Sequence, residues 1–307
     1  LATDQHDQAV QAFALARDRD ALRFRADTQI NQAIRETVSG RDGAGVSLVD
    51  LESRFAEVAT TLDLPGRDLF FEHVHMTFPG NYHAVAAAYE SVLSLLPERI
   101  TRGAHPAPLS LEETRQAMPA TVWDEMAMLN GMLALANRPP FTGQLDHLAR
   151  LQALLAEHLA LRSRLILKES QQVVDLYQAA IEQRPDDVEL RLRYALLLTS
   201  QNRYAEAEPI LRTIVQEHPD NETAWEDLAY AAIAQGDYDE ARRVLTQLED
   251  VSVTPAVAWY GAASSAEELR RPDFAMECLV RTLELNPGMV SAYELKGNCL
   301  MDQGKYR

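Results

Sequence analysis

The sequence predicts a mainly α-helical protein, with a solenoid of helical hairpins in its C-terminal half preceded by a helical adaptor and a partial α/β unit. Three observations carry this. First, Pro185, Pro219 and Pro287, and likewise Ala207, Ala241 and Ala275, fall on one 34-residue grid. A fixed period near this length marks units that cannot bury their apolar faces alone and must stack on their neighbours. Second, large aromatic and small residues recur in the same register, as close packing of antiparallel helices requires. Third, helical spacing continues ahead of the grid, interrupted by one short apolar run, residues 45–50, that suits a buried parallel strand.

Residues 1–96 hold the α/β part. A helix is expected over residues 20–38, where Leu22, Ala26, Ile30, Ile34 and Val38 share one face. Ser39-Gly40 turns the chain into the strand 45–50, and a helix of about ten residues follows from Leu51. Asp50, closing the strand, reads as a turn or cap residue. A loop over residues 64–82 leads to a final helix that ends near Leu96, with Asn81 expected as its N-cap. Residues 97–109 are a linker, because Pro97, Gly103, Pro106 and Pro108 forbid a continuous helix.

Residues 110–162 read as a helical adaptor that caps the start of the solenoid. Ser110 and Glu113 have capping-box spacing ahead of a helix to about Met118. Another helix runs from Thr121 to Ala136 with Trp123, Met126, Leu129 and Leu133, and Pro139-Pro140 ends the pattern. Met126, Met128 and Met132 read as core filler. Leu148, Leu151, Leu155 and Leu159 stripe one face of a helix over residues 144–162, and His147 near its start reads as a surface or cap group.

The repeats occupy residues 163–307. Units begin near Val188, Glu222, Ala256 and Val290, and the stretch holding Val173, Tyr177 and Ala180 before Pro185 fits the second helix of a degenerate earlier unit. Position 4 of the units holds Arg191, Trp225, Trp259 and Tyr293; position 8 holds Ala195, Ala229, Ala263 and Gly297. Tyr204, Tyr238 and Tyr306 open second helices after Asn202, Gly236 and Gly304, and the proline near position 32 ends them. This pattern resembles the tetratricopeptide repeat family over roughly residues 154–307. The third unit departs from it: Pro272 replaces the tyrosine, and Pro255 falls two residues late, Val253 standing where a proline is expected. Leu1 is not a methionine and the last unit stops at Arg307 without a polar capping helix, so the sequence is expected to be a fragment of a longer protein.

A second resemblance rests on the loop. Glu72-His73-Val74-His75 followed by Gly80-Asn81-Tyr82, with Arg23-Phe24-Arg25-Ala26-Asp27 and Ile30-Asn31 upstream, resembles the closing third of an SGNH (GDSL-type) hydrolase, a flavodoxin-like α/β fold, over about residues 15–96. It implies a serine esterase or acyl hydrolase in which His75 is the general base and Glu72 the acid that orients it. It also implies a bacterial, membrane-anchored, extracytoplasmic protein. No Gly-Asp-Ser motif is present, so the nucleophile is expected upstream of this sequence. Read from the residues alone, the loop is also compatible with polar packing. A metal held by His73 and His75, with His83 or Glu72 as third ligand, is a further alternative.

The remaining expectations concern partners. The formal net charge of −17 is spread over both halves, which argues against nucleic acid and anionic membrane, since both need clustered Lys and Arg. No run of about 18 apolar residues suggests a membrane span. Neither a cofactor nor a metal is expected. Cys278 and Cys299 read as small buried apolar residues. Groove positions on the first helices give Leu192, Leu196, Glu226, Tyr230, Tyr260, Glu267, Glu268, Glu294 and Asn298. That set favours a basic or apolar peptide or protein as partner. A groove that binds nothing and only spaces domains is the alternative.

Overall fold

Residues 3–20, 25–41, 45–60, 64–72, 74–102 and 107–302 are described by a computed structural model. The chain divides into two compact units, Leu1–Ser163 and Arg164–Arg307. The first carries α1 (Thr3–Asp18), α2 (Thr28–Val38), α3 (Leu51–Val58), α4 (Phe78–Leu95), the single turn α5 (Glu98–Thr101), α6 (Leu111–Ala117), α7 (Val122–Ala136) and α8 (His147–Arg164).

Several boundaries differ from the sequence expectation, each for a local reason. Sequence periodicity gave no sign of α1, whose Phe13 and Leu15 remain exposed. The helix expected from residue 20 begins at Thr28, because the buried carboxylate of Asp27 accepts the Ile30 N–H at 2.8 Å and so fixes the N-terminus. Leu22, Arg23 and Phe24 lie outside the described residues. The run expected as a strand is not one. Residues 46–50 are irregular, and among the described residues the structure has no strand, only an isolated bridge between Phe70 and Met76. An extended segment needs a neighbour for its N–H and C=O groups, and here Asp50 instead caps α3 by accepting from Ser53 N. Asn81 does not cap α4. Thr77 does, with Oγ1 accepting from Gly80 N at 3.2 Å, and Pro79 occupies the first turn, where its missing N–H costs nothing. The linker contains α5; residues 103–106 lie outside the description.

Charge ties the first three helices together. Arg17 of α1 reaches Glu52 of α3, while Arg35 of α2 holds both Asp50 and Glu52. Phe55 of α3 packs edge-on against Phe70 at 5.3 Å, and α3 lies against α4. Farther along, the Ser110–Glu113 capping box opens α6, and Arg115 of α6 covers the Phe78 ring of α4 at 4.7 Å.

The second unit starts with a π turn, Leu165–Glu169, and α9 (Ser170–Gln183). Three helical hairpins follow: α10 (Val188–Ser200) with α11 (Tyr204–Glu217), α12 (Glu222–Gln235) with α13 (Tyr238–Val251), and α14 (Pro255–Glu268) with α15 (Pro272–Leu285). α16 (Val290–Asp302) packs on α15; Gly304 and Tyr306 lie outside the described residues. Pro255 is not a late terminator of the preceding helix. It opens α14, as Pro272 opens α15.

The grid residues explain the stacking. Ala195, Ala229 and Ala263 are buried at the crossings, as are Ala207, Ala241 and Ala275, so backbones approach closely. Trp225 and Trp259 fill the space beside them, 9% and 6% exposed, with their indole N–H groups bonded to Pro219 O and Glu249 Oε2. Each hairpin turns through one left-handed residue: Asn202 (φ 60°), Gly236 (φ 79°) and Arg270 (φ 57°). These too lie on the 34-residue grid. Cys278 and Cys299 are both buried free thiols, and burial pushes the Cys278 thiol up to about 12.

Candidate functional site

Each unit carries one candidate site. In the first, the loop between α3 and α4 folds back on itself: Phe71 N donates to His75 O at 2.8 Å and Thr77 N to Leu69 O at 2.9 Å. Leu69 is buried beneath it, and α4 presses against it so closely that a Cβ on Gly80 would lie 2.2 Å from Leu69 O. This fold brings Glu72 and His75 together. The Glu72 carboxylate, its side chain only 8% exposed, accepts from His75 N at 2.8 Å and Val74 N at 3.3 Å and also contacts His75 Nδ1. The imidazole itself is half exposed. Chemically, this arrangement orients the ring and holds Nδ1 on a carboxylate.

His83 of α4 has a buried Nδ1 without a partner, and burial, then the nearby Arg54, lowers its pKa. His73 lies outside the described residues. Among the described residues no three His, Cys, Asp or Glu side chains converge as a metal site would need. Asp50 is held on Arg35, which lowers its carboxyl to about 2, and it acts as the cap of α3. His147 is the first residue of α8.

The second site is the line of first helices in the repeat unit, where α12 contacts both α10 and α14, and α14 contacts α16. Leu192 is buried and offers almost no surface, whereas Leu196, Tyr230, Tyr260 and Glu267 are half-buried. Glu226, Glu268, Glu294 and Asn298 are exposed. Tyr230 meets Tyr204 edge-on at 6.1 Å; burial first, then Tyr204 and the charge of Glu268, raise its hydroxyl pKa. Burial and the neighbouring Glu222 likewise push Glu226 up.

Sequence reasoning missed Asp227. This residue is half-buried, its Oδ2 is enclosed without a hydrogen-bond partner, and desolvation, followed by Glu226, raises its pKa to about 7. Its position beside Glu226 was the available signal.

The acidic residues of the second helices are arranged differently. Arg212 of α11 holds Glu208 at 2.8 Å and Glu240 of α13 at 2.6 Å. Arg242 of α13 holds Asp239 at 2.7 Å and Glu277 of α15 at 2.9 Å. Arg281 of α15 reaches back to Glu249 at 3.1 Å. By contrast, among the described residues no cation pairs with Glu226, Asp227, Glu267, Glu268 or Glu294. The carboxylates named on the second helices are paired with arginines, and those named on the first helices are left open.

A tetratricopeptide repeat family model matches residues 168–221 and 198–260, so this part of the chain consists of tetratricopeptide repeats. The comparison with curated proteins finds no match. Among solved structures, a crystal structure of MamA is 18% identical, covering 47% of this chain and 79% of that one with a TM-score of 0.35. YrrB, described as a TPR protein with an unusual peptide-binding site, is also 18% identical, covering 61% of this chain and 95% of that one with a TM-score of 0.35.

Proposed function

We propose that the repeat unit is a protein-interaction scaffold whose first helices receive a basic or amphipathic peptide. One observation carries this reading: among the described residues Glu226 and Asp227 of α12, Glu267 and Glu268 of α14 and Glu294 of α16 pair with no cation, while Glu208, Asp239, Glu240, Glu249 and Glu277 of α11, α13 and α15 are held by arginines. Like charges gathered on one surface reinforce one another's potential; the pKa of Glu226 is raised by desolvation first and by the neighbouring Glu222 second. A lysine or arginine from a partner would relieve it. Leu196, Tyr230 and Tyr260 add apolar and aromatic contact beside the charge, which suits an amphipathic rather than a uniformly basic ligand.

The test is fluorescence anisotropy with a labelled basic amphipathic peptide and its acidic counterpart. The basic peptide should bind, and more weakly as salt rises toward about 0.15 M, where screening confines charge effects to roughly 8 Å. Replacing Glu226 and Glu267 together by Lys should weaken that binding without changing the melting profile. Unchanged binding after the reversal, or preference for the acidic peptide, would leave the repeats as a spacer.

A second reading concerns the first unit, and the contact of Glu72 with His75 Nδ1 favours it. In this reading the chain is the closing part of an SGNH-type acyl hydrolase: Glu72 holds the imidazole while His75 accepts the proton of a serine supplied from outside this sequence. The chain by itself should then have no esterase turnover. Nitrophenyl-ester hydrolysis by this chain that His75→Ala abolishes would refute that dependence on an outside serine.

A further inference from the structure

The first unit holds an apolar cavity of about 690 Å³ that neither candidate site uses. One wall is a face of α4, where Phe78, Tyr82, Val85 and Tyr89 recur at helical spacing. From Phe78 to Tyr89 that wall runs about 16 Å, at 1.5 Å per residue. Across from it stand Thr114 of α6 and Met118 just beyond its end, and Ala107-Pro108-Leu109 supplies a third stretch of wall. Tyr82 Oη donates to Leu109 O at 2.8 Å, which ties that segment to α4. Val85, Leu109 and Met118 are 67%, 54% and 48% exposed, so apolar surface is left in water around the cavity.

We propose that this cavity binds an uncharged, elongated apolar molecule with one hydrogen-bond donor, of the class of long-chain alcohols. A void of this size belongs to the range of small-molecule sites, and apolar cavities take up apolar molecules rather than water. None of the residues lining it is charged. Arg115, which covers the Phe78 ring at 4.7 Å, does not line it and is already held by Glu125 at 2.6 Å. An ionised ligand would therefore give up its hydration with no counter-charge in exchange, whereas an apolar chain gains by leaving water. The polar groups of the wall select the head group. Tyr82 Oη is engaged by Leu109 O, and Asn81 Nδ2 donates to Met76 O at 3.3 Å and Thr77 O at 3.2 Å. Among the described residues nothing donates to Asn81 Oδ1, so Asn81 offers the cavity an acceptor, and Thr114 adds a hydroxyl. A ligand that donates one hydrogen bond answers that wall. The site is independent of the peptide surface on the repeats, and neither Glu72 nor His75 lines it.

The experiment uses N-phenyl-1-naphthylamine, a neutral apolar probe with one N–H whose fluorescence rises on leaving water. It is titrated into the full chain and then displaced with 1-decanol, 1-methoxydecane, decanoate and decyltrimethylammonium, all below their micellar concentrations. The probe should bind in the micromolar range, and decanol should displace it. Methoxydecane, which cannot donate, should be about two- to tenfold weaker than decanol, the factor for one net hydrogen bond. Both ions should be weaker than decanol by at least about tenfold. Val85→Glu and Met118→Glu, at exposed positions in the wall, should each weaken the probe and decanol by about tenfold or more. Val92→Glu, on the same helix and 53% exposed but outside the lining, should change nothing. Should a lining variant fail to fold, the methyl resonance of Met118 in the unaltered protein gives the same answer: decanol should shift it and leave that of Met301, exposed in the repeat unit, in place. No probe binding, equal displacement by methoxydecane or by either ion, equal loss in Val92→Glu, or a Met118 resonance that decanol does not move would each overturn the assignment. So would a dimer, seen by sedimentation, that Val85→Glu and Met118→Glu dissociate and decanol does not, because the occupant would then be a second copy of the chain.

Discussion

Replacing Asp227 by Asn should stabilise the repeat unit at pH 8, and by an amount that grows with pH. In the folded protein this carboxyl holds its proton until about pH 7, against an ordinary 3.8. The sign follows from linkage: above 3.8 the unfolded chain has released the proton while the folded chain still binds it, so stability falls as pH rises from 3.8 to about 7 and is level beyond. At about 1.36 kcal/mol per pKa unit, the full span is worth roughly 4 kcal/mol. Water reaching a half-buried group reduces this, and about 2 kcal/mol is the expected gain for the neutral isostere at pH 8. At pH 5 only about two fifths of the span has been crossed, so the gain there should be less than half as large. Urea unfolding followed through Trp225 and Trp259 at pH 5, 6.5 and 8 measures the difference between the two proteins. A difference that stays constant over this range, or an Asn variant less stable at pH 8, would show that Asp227 is not held protonated by burial and by Glu226.

Three further outcomes test the packing. Trp225→Ala and Trp259→Ala should each cost about 3–5 kcal/mol in the same unfolding assay, since both rings are nearly buried and both indole N–H groups are bonded. Arg270→Gly should stabilise the protein by about 1 kcal/mol, because only glycine takes a left-handed φ of 57° without a Cβ penalty; a thermal melt that moves down instead would contradict the turn geometry. Gly80→Ala should lower the melting point of the first unit and raise proteolysis between Phe70 and His75, since the added methyl has backbone rather than a flexible side chain in its way. Unchanged cleavage in that loop would argue against the close approach.

What was legible in the sequence was whatever is repeated. Ala195, Ala229 and Ala263 occupy equivalent environments, so one physical requirement, small volume at a helix crossing, appears several times and stands out from chance. Single events were harder to read. Leu22 extends the periodicity of α2 in the sequence, but the capping bond of Asp27 sets that boundary, and a cap is one hydrogen bond rather than a pattern. Residues 45–50 have the composition of a strand, yet composition says nothing about whether a neighbouring strand is there to pair with. Within the candidate sites, Glu72 and His75 could be linked because three residues separate them in one loop. Phe78 and Met118 could not, since only the folded chain brings them to one cavity.

The arginines that cross between second helices have a consequence for how the array comes apart. Each repeat's intrinsic stability and its coupling to the next are separate quantities in a linear array, and Arg212–Glu240, Arg242–Glu277 and Arg281–Glu249 contribute to the coupling alone, because each joins different hairpins. Pairs near the surface contribute about 0.2–1 kcal/mol each when exposed and weaken in salt. Ionic strength therefore acts on the length over which the array behaves as one body: dilute buffer favours concerted opening of several hairpins, and concentrated salt favours fraying one hairpin at a time from an end.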